Sequence, residues 1–289
     1  MRAAVLAALA VATTQLPVSV QSTSGESSTI NAFATNSDGT VWYIGDDDGA
    51  VVASKWTTSH QTALYDDNQD WIIEEMFDNG ACFASRNVTN TVKCCSESHT
   101  AATCNDHNVK MADQTIDHTI NALAACGPTK LVVATTYNAP DPNNNNIQTD
   151  YGQLIILDGG SNNLYDSSAT FNASVHYFQQ NAVGPIVRAV CTDNNTAYWV
   201  SGQTGHLFKQ DLTATNSAAG ESVKIGTVAG QNVEVTVDTT TLGQKKLASC
   251  KNSTGAYASS FAALVQDHSG DHHIHYWDGT NSAPLNLYL

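Results

Sequence analysis

The sequence predicts an all-β chain assembled from a repeated four-stranded unit, and three observations predict it. Apolar residues alternate with a period of two, so that Val41 and Tyr43 face one way along their strand and Trp42 and Ile44 the other. Gly, Asn and Asp separate the runs, and these residues accept the positive φ that tight turns need. Laid on itself, the chain repeats. No amphipathic helix pattern stands out.

The 289 residues open MRAAVLAALAVATTQLPVSVQS. Arg2, a short apolar run from Ala3 to Ala12 and the small residues around Val18-Ser19-Val20 read as a secretory signal peptide over residues 1–20. A polar segment, 21–29, follows, and 30–289 forms one domain of five copies. The first runs INAFATNSDGTVWYIGDDDGAVVASKW from Ile30, and the second, WIIEEMFDNGACFASRNVTNTVKCCSES from Trp71, keeps the rhythm with few of the residues. The third, INALAACGPTKLVVATTYN from Ile120, resumes as YGQLIILDGG after an insertion. The fourth is VRAVCTDNNTAYWVSGQTGHLFKQDL from Val187, and the fifth KLASCKNSTGAYASSFAALVQDHSGDHHIHYWDG from Lys246. Candidate fourth strands are TALYDD (62–67), NLYDSS (163–168), SVKIGTV (222–228) and PLNLYL (284–289). Four short strands in units of about 40–50 residues are the signature of a β-propeller blade, so the predicted fold is a propeller of five four-stranded blades. A β-sandwich with long loops is the alternative; it explains the strands but not the internal similarity.

These copies resemble the five-bladed propellers, the architecture of the tachylectin-type lectins and of several glycosidase clans. The resemblance spans about residues 28–289 and is architectural. It implies a ligand-binding ring or, in the glycosidase case, paired carboxylates near the central channel.

Aligned on Asp158, Asp211 and Asp278, the histidine run HHIH becomes the third strand of the last blade. His273 and His275 then project from one strand face, as metal-binding H-x-H pairs do, with His268, His272 or Asp271 as a possible third ligand. The bland reading is a covered third strand with hydrogen-bonded imidazoles. Turns joining second to third strands emerge together on one face of a propeller. They place Asp46, Asp47, Asp48, Asp141, Asp150, Asp267 and Asp271 around one rim, which would suit Ca²⁺ or a hydroxyl-rich sugar. Asp and Asn are also simply good turn formers. The insertion NAPDPNNNNIQTDYG (138–152) is longer than a turn requires, and its four asparagines lean toward disorder.

Seven cysteines suggest disulfides, with Cys82, Cys94, Cys95, Cys104, Cys191 and Cys250 as candidates. A bridge from Cys94 or Cys95 to Cys104 or Cys82 is plausible, and Cys191 and Cys250, at one repeat position, form a possible inter-blade pair. Sequons at Asn87, Asn172, Asn194 and Asn252 offer N-glycosylation sites. A net charge of −15, from 27 acidic against 12 basic residues, argues against nucleic acid or an anionic membrane as partner. No later run is long and apolar enough to insert into a bilayer.

The leading expectation is a secreted, glycosylated propeller that binds a carbohydrate or a cell-surface or matrix glycoprotein through its acidic face, with Ca²⁺ as a possible aid. Trp42, Tyr43, Tyr198 and Trp199 recur at matched positions, as sugar platforms or, more commonly, blade core. One alternative is a glycoside hydrolase-like enzyme using Asp70 with Glu74 or Glu75 on the inner strand WIIEEMF. Another is an extracellular protein-interaction scaffold.

Overall fold

The computed structural model describes the backbone of residues 29–35, 41–47, 50–56, 61–67, 71–75, 80–85, 89–96, 105–109, 117–127, 129–141, 143–160, 164, 172–176, 184–193, 195–202, 207–213, 223–225, 236–237, 247–251, 257–266, 272–277 and 282–285. Side chains are described for 81–84, 89–95, 105–109, 117–127, 129–141, 143–160, 164, 184–192, 195–202, 208–213 and 261.

The described strands form five antiparallel sheets. The first orders β1 (Thr29–Thr35), β2 (Val41–Asp47), β3 (Ala50–Trp56) and β4 (Gln61–Asp67). The second orders β5 (Trp71–Glu75), β6 (Gly80–Ser85), β7 (Thr91–Ser96) and β8 (Asn105–Asn108). The third comprises β9 (Thr119–Ala125), β10 (Lys130–Asp141), β11 (Asn144–Asp158) and β12 (Asn172–His176). The fourth follows with β13 (Ile186–Asp193), β14 (Thr196–Ser201), β15 (Leu207–Asp211) and β16 (Val223–Ile225). In the fifth, β17 (Thr236–Val237) and β18 (Leu247–Lys251) share one edge of β19 (Tyr257–Gln266), followed by β20 (His272–Trp277) and β21 (Ser282–Leu285).

The first four sheets are simple meanders, the fifth continues as one from β18 with β17 added beside it, and the leading strands touch in succession. β5 lies against β1 and β9, and β13 lies against β9 and the β18–β19 edge. A chain of four-stranded meanders whose first strands line up side by side is a β-propeller, not a sandwich of two sheets. The histidine run lies on β20, third in its sheet, with His273 opposite Val265 and His275 opposite Ala263.

The third sheet explains why such units stack. Its rows run straight across three strands, so residues opposite one another share a face. Ala125, Leu131 and Leu157 form one row, and Leu123, Val133 and Ile155 another of the same parity. Both rows join Cys82, Ala84, Val92 and Cys94 of the second sheet in one buried cluster. The intervening rows, Ala124-Val132-Ile156 and Ala122-Ala134-Leu154, join Ile186, Ala189, Cys191 and Trp199 of the fourth sheet in another. An uninterrupted apolar strand such as LVVA is therefore read twice, once by each neighbour. Each Leu or Val of such a strand contributes about 1.5–3 kcal/mol when fully buried. Tyr198 and Trp199 are blade core: Trp199 stacks on Phe208 at 4.3 Å, and Tyr198 meets Phe261 of the fifth sheet at 4.4 Å.

Three expectations are corrected. The fourth strand of the third sheet is Asn172–His176, where Val175 pairs with Ile155, and not 163–168; Leu164 instead plugs the core between the second and third sheets. The asparagine-rich insertion is not a disordered loop, because β10 and β11 stay paired from Tyr137↔Tyr151 to Pro140↔Gln148 and close at Asp141↔Asn144. Cys191 does not pair with Cys250. It is bridged to Cys126, which the sequence reading passed over, with their Cα atoms 5.1 Å apart. Cys126 follows the last residue of β9, so the bridge ties the third sheet to the fourth. Cys82 pairs with Cys94, directly opposite it on β7, and Cys95, pointing to the other face, is also disulfide-bonded.

Candidate ligand-binding face

In a meander, the turn between second and third strands lies at the same end as the start of the first. Hydrogen bonds bring that end together across three sheets. Asn90, at the close of the second sheet's turn, sits at φ 63°, a left-handed conformation that Asn tolerates. Its side chain accepts from the His118 backbone N–H at 2.8 Å and donates to Asp117 Oδ1 at 2.8 Å, fixing the lead-in to β9. At the other side of the third sheet, Asn121 Nδ2 donates to Thr136 Oγ1 at 2.6 Å and to the Ile186 carbonyl at 2.9 Å, fixing the start of β13. Asn121 is the extra residue of a bulge between Ala122 and Ile120, and the bulge aims it at the neighbouring sheet.

Between these ties stands a row of aromatic rings. Tyr137 and Tyr151 are cross-strand partners, stacked at 5.5 Å, and His118 tilts against Tyr137 at 5.2 Å. His118 and Tyr151 are buried, and Tyr137 is half-buried. Thr135 organises the row from beneath. Its hydroxyl donates to the Gln153 carbonyl at 3.0 Å and lies 3.1 Å from His118 Nδ1. With the hydroxyl proton committed, Thr135 accepts, so the imidazole proton sits on Nδ1. Gln153 Oε1 is buried here with no hydrogen-bond partner among the described residues.

From this root the β10–β11 ribbon runs on for about 15 Å past the start of β9, at the usual rise per strand residue. It carries Asn138, Asn143, Asn144, Asn145, Asn146, Gln148 and Thr149, and one exposed large apolar side chain, Ile147, at 51% exposure. Asn138 Nδ2 donates to Asp150 Oδ1 at 2.8 Å across the ribbon, and Asp141 Oδ1 accepts from the Asn143 N–H at 2.7 Å in an Asx turn.

Asp141 and Asp150 thus share one hairpin, each held by a neighbouring donor. Among the described residues no three His, Cys, Asp or Glu groups converge as a metal site would need. Asp46 and Asp47 end β2, with Asp46 opposite Val51 and Asp47 opposite Ala50, but their side chains are not described. Asp48, Asp267, Asp271, His268, Asp70, Asn87, Asn194 and Asn252 lie outside the described residues. Glu74 and Glu75 stand opposite Cys82 and Ala81, and Asn172 opposite Asp158; their side chains, like those of His273 and His275, are not described. His118, Asn121, Tyr137 and Tyr151 were missed by sequence reasoning. One signal was available: folded about its asparagines, TTYNAPDPNNNNIQTDYGQ sets Tyr137 against Tyr151 and Asn138 against Asp150.

No protein-family model matches the chain, and no curated protein matches it. Among solved structures, the β-propeller domain of Cps50 (Swd1) from Myceliophteria thermophila is 11% identical, covering 93% of this chain and 88% of that one at a TM-score of 0.46. Extracellular domains 1–2 of Drosophila semaphorin 1a are 10% identical, covering 94% and 69% at a TM-score of 0.43. Prolyl oligopeptidase B from Galerina marginata is 8% identical, covering 88% of this chain at a TM-score of 0.49. The chain spans 33% of that oligopeptidase and 59% of the chain it matches in a nidogen–laminin complex. At these scores the likenesses say nothing of ligand or activity.

Proposed function

We propose that this chain is an extracellular recognition propeller whose contact face is the one bearing the β10–β11 ribbon. The observation that carries the reading is the ribbon itself. No turn needs twelve residues of β10 and fifteen of β11, yet the pairing is kept to the tip and the root is packed with tyrosines. Paired disulfides within and between sheets favour an oxidising compartment, in keeping with the leader expected over residues 1–20.

The ligand we infer is a carbohydrate or a cell-surface or matrix glycoprotein. Side-chain amides both donate and accept, which suits vicinal hydroxyls, and a half-buried tyrosine offers an apolar platform. Asp46, Asp47, Asp48, Asp267 and Asp271 would complete the acidic rim, with Ca²⁺ as an aid, in a ring of five blades. N-glycans at Asn194 and Asn252 would occupy turns at the opposite end, while one at Asn87 would obstruct part of the rim and leave the other blades open.

The test is a glycan array together with immobilised matrix glycoproteins, native and deglycosylated, each probed with and without EDTA. Binding by the wild type that falls at least tenfold in Tyr137→Ala supports the reading. Undiminished binding by Tyr137→Ala, or no binding on any surface, overturns it.

A further inference from the structure

Away from the ribbon, His107 is buried between the second and third sheets at 6% exposure. It lies on β8 opposite Val92, which in turn lies opposite Ala84, so the three form one row. Its Nε2 is 2.6 Å from the carbonyl oxygen of Leu164, 57 residues along and on the far side of the seam. A carbonyl only accepts, so the ring must carry its proton on Nε2. Ala84, Val92, Val109 and Leu164 belong to the apolar cluster of that seam.

Among the described residues, the charged neighbours lie on its own sheet. Asp106 flanks the ring on β8, and Lys93 of β7 pairs with Asp106 at 3.0 Å. The strands of the third sheet turn Leu131, Val133, Ile155 and Leu157 to this seam. Burial holds the imidazole below its ordinary 6.5, while the Leu164 bond and Asp106 pull the other way. Two residues on, the Val109 N–H donates to the Asn90 carbonyl at 2.8 Å, and Asn90 fixes the lead-in to β9.

We propose that His107 is an acid-sensitive latch: its neutral ring fastens β8 to the Leu164 turn, and its protonation loosens the seam and, through Val109 and Asn90, the ribbon face. Only the consequence for the face rests on the recognition reading; the seam does not. Well above pH 6.5 the ring is neutral in folded and unfolded chains alike, and the buried site carries no penalty. Below it the unfolded chain takes up a proton that the folded chain resists, so stability declines as pH falls from 6.5 toward the depressed folded value.

Three readouts on the full secreted protein test this without any ligand. In imidazole NMR, the signal absent from His107→Gln should titrate below 6.5; titration at or above 6.5 overturns the latch. Between pH 7.5 and 5.5 the wild-type Tm should fall roughly 3 °C more than that of His107→Gln, and equal slopes overturn it. Should the variant not fold, hydrogen exchange of the wild type decides. After correction for intrinsic rates, peptides over 105–109 should speed up at least threefold more at pH 5.5 than those around Cys126 and Cys191. Equal acceleration in both regions overturns the proposal. Because no readout uses a ligand, failure of the recognition reading leaves them untouched.

Discussion

The two seams that flank the third sheet solve the same packing problem by different means. Toward the fourth sheet, the apolar rows are backed by a covalent bridge, Cys126–Cys191, by the fully buried Trp199 and by Asn121 reaching the Ile186 carbonyl. Toward the second sheet, the bridge on that face, Cys82–Cys94, lies within one sheet. The ties across this seam in the described residues are hydrogen bonds: Asn90 to the 117–118 segment, and His107 to Leu164. One seam is clamped and the other is fastened, and the second holds the buried His107 on which the acid-sensitive latch is proposed.

The largest effect expected from breaking this contrast comes from the disulfides. Cys126→Ala with Cys191→Ala should lower the unfolding free energy by about 4 kcal/mol, because the bridge restrains 65 residues of unfolded chain. Cys82→Ala with Cys94→Ala, spanning 12 residues, should lower it by about 3 kcal/mol. Urea titrations of both pairs decide the order, and a reversed ranking means that the clamp is not the stronger device.

Next is Gly152→Ala. A Cβ there would lie 2.5 Å from the Gly184 carbonyl and 2.5 Å from Ile186 Cγ1, so the lead-in to β13 must shift. Thermal unfolding should register about 2 kcal/mol of overpacking, and a neutral result would show that this approach can relax. The smallest effect is Asn90→Gly. It keeps the left-handed backbone and removes two side-chain bonds across the fastened seam, so chemical denaturation should report a loss of about 1–2 kcal/mol. If the loss stays below a few tenths, the seam rests on apolar packing alone.

Much of this architecture was legible beforehand. The copies read from Ile30, Trp71, Ile120, Val187 and Lys246 begin within one residue of β1, β5, β9, β13 and β18. Period-two alternation and turn residues are local and survive any tertiary setting. What escaped was non-local. Cys126 stands outside the repeat position that made Cys191 and Cys250 look like a pair, so its partner depended on how neighbouring sheets meet. Leu164 looked like a strand residue because its neighbours alternate, whereas the third sheet drew its last strand from Asn172–His176. The ribbon was misread because asparagine composition speaks for loops while cross-strand pairing of Tyr137 with Tyr151 speaks for β structure, and the pairing prevailed. Of the aspartates expected around an acidic rim, Asp141 and Asp150 have described side chains, and they share one hairpin.

The double reading of the third sheet also bears on how such a chain could be cut. A layer greasy on both sides has no wet side to show, so a fragment holding only residues 119–176 would be expected to clump rather than fold. Any domain boundary drawn for engineering should therefore fall outside the propeller rather than between its layers.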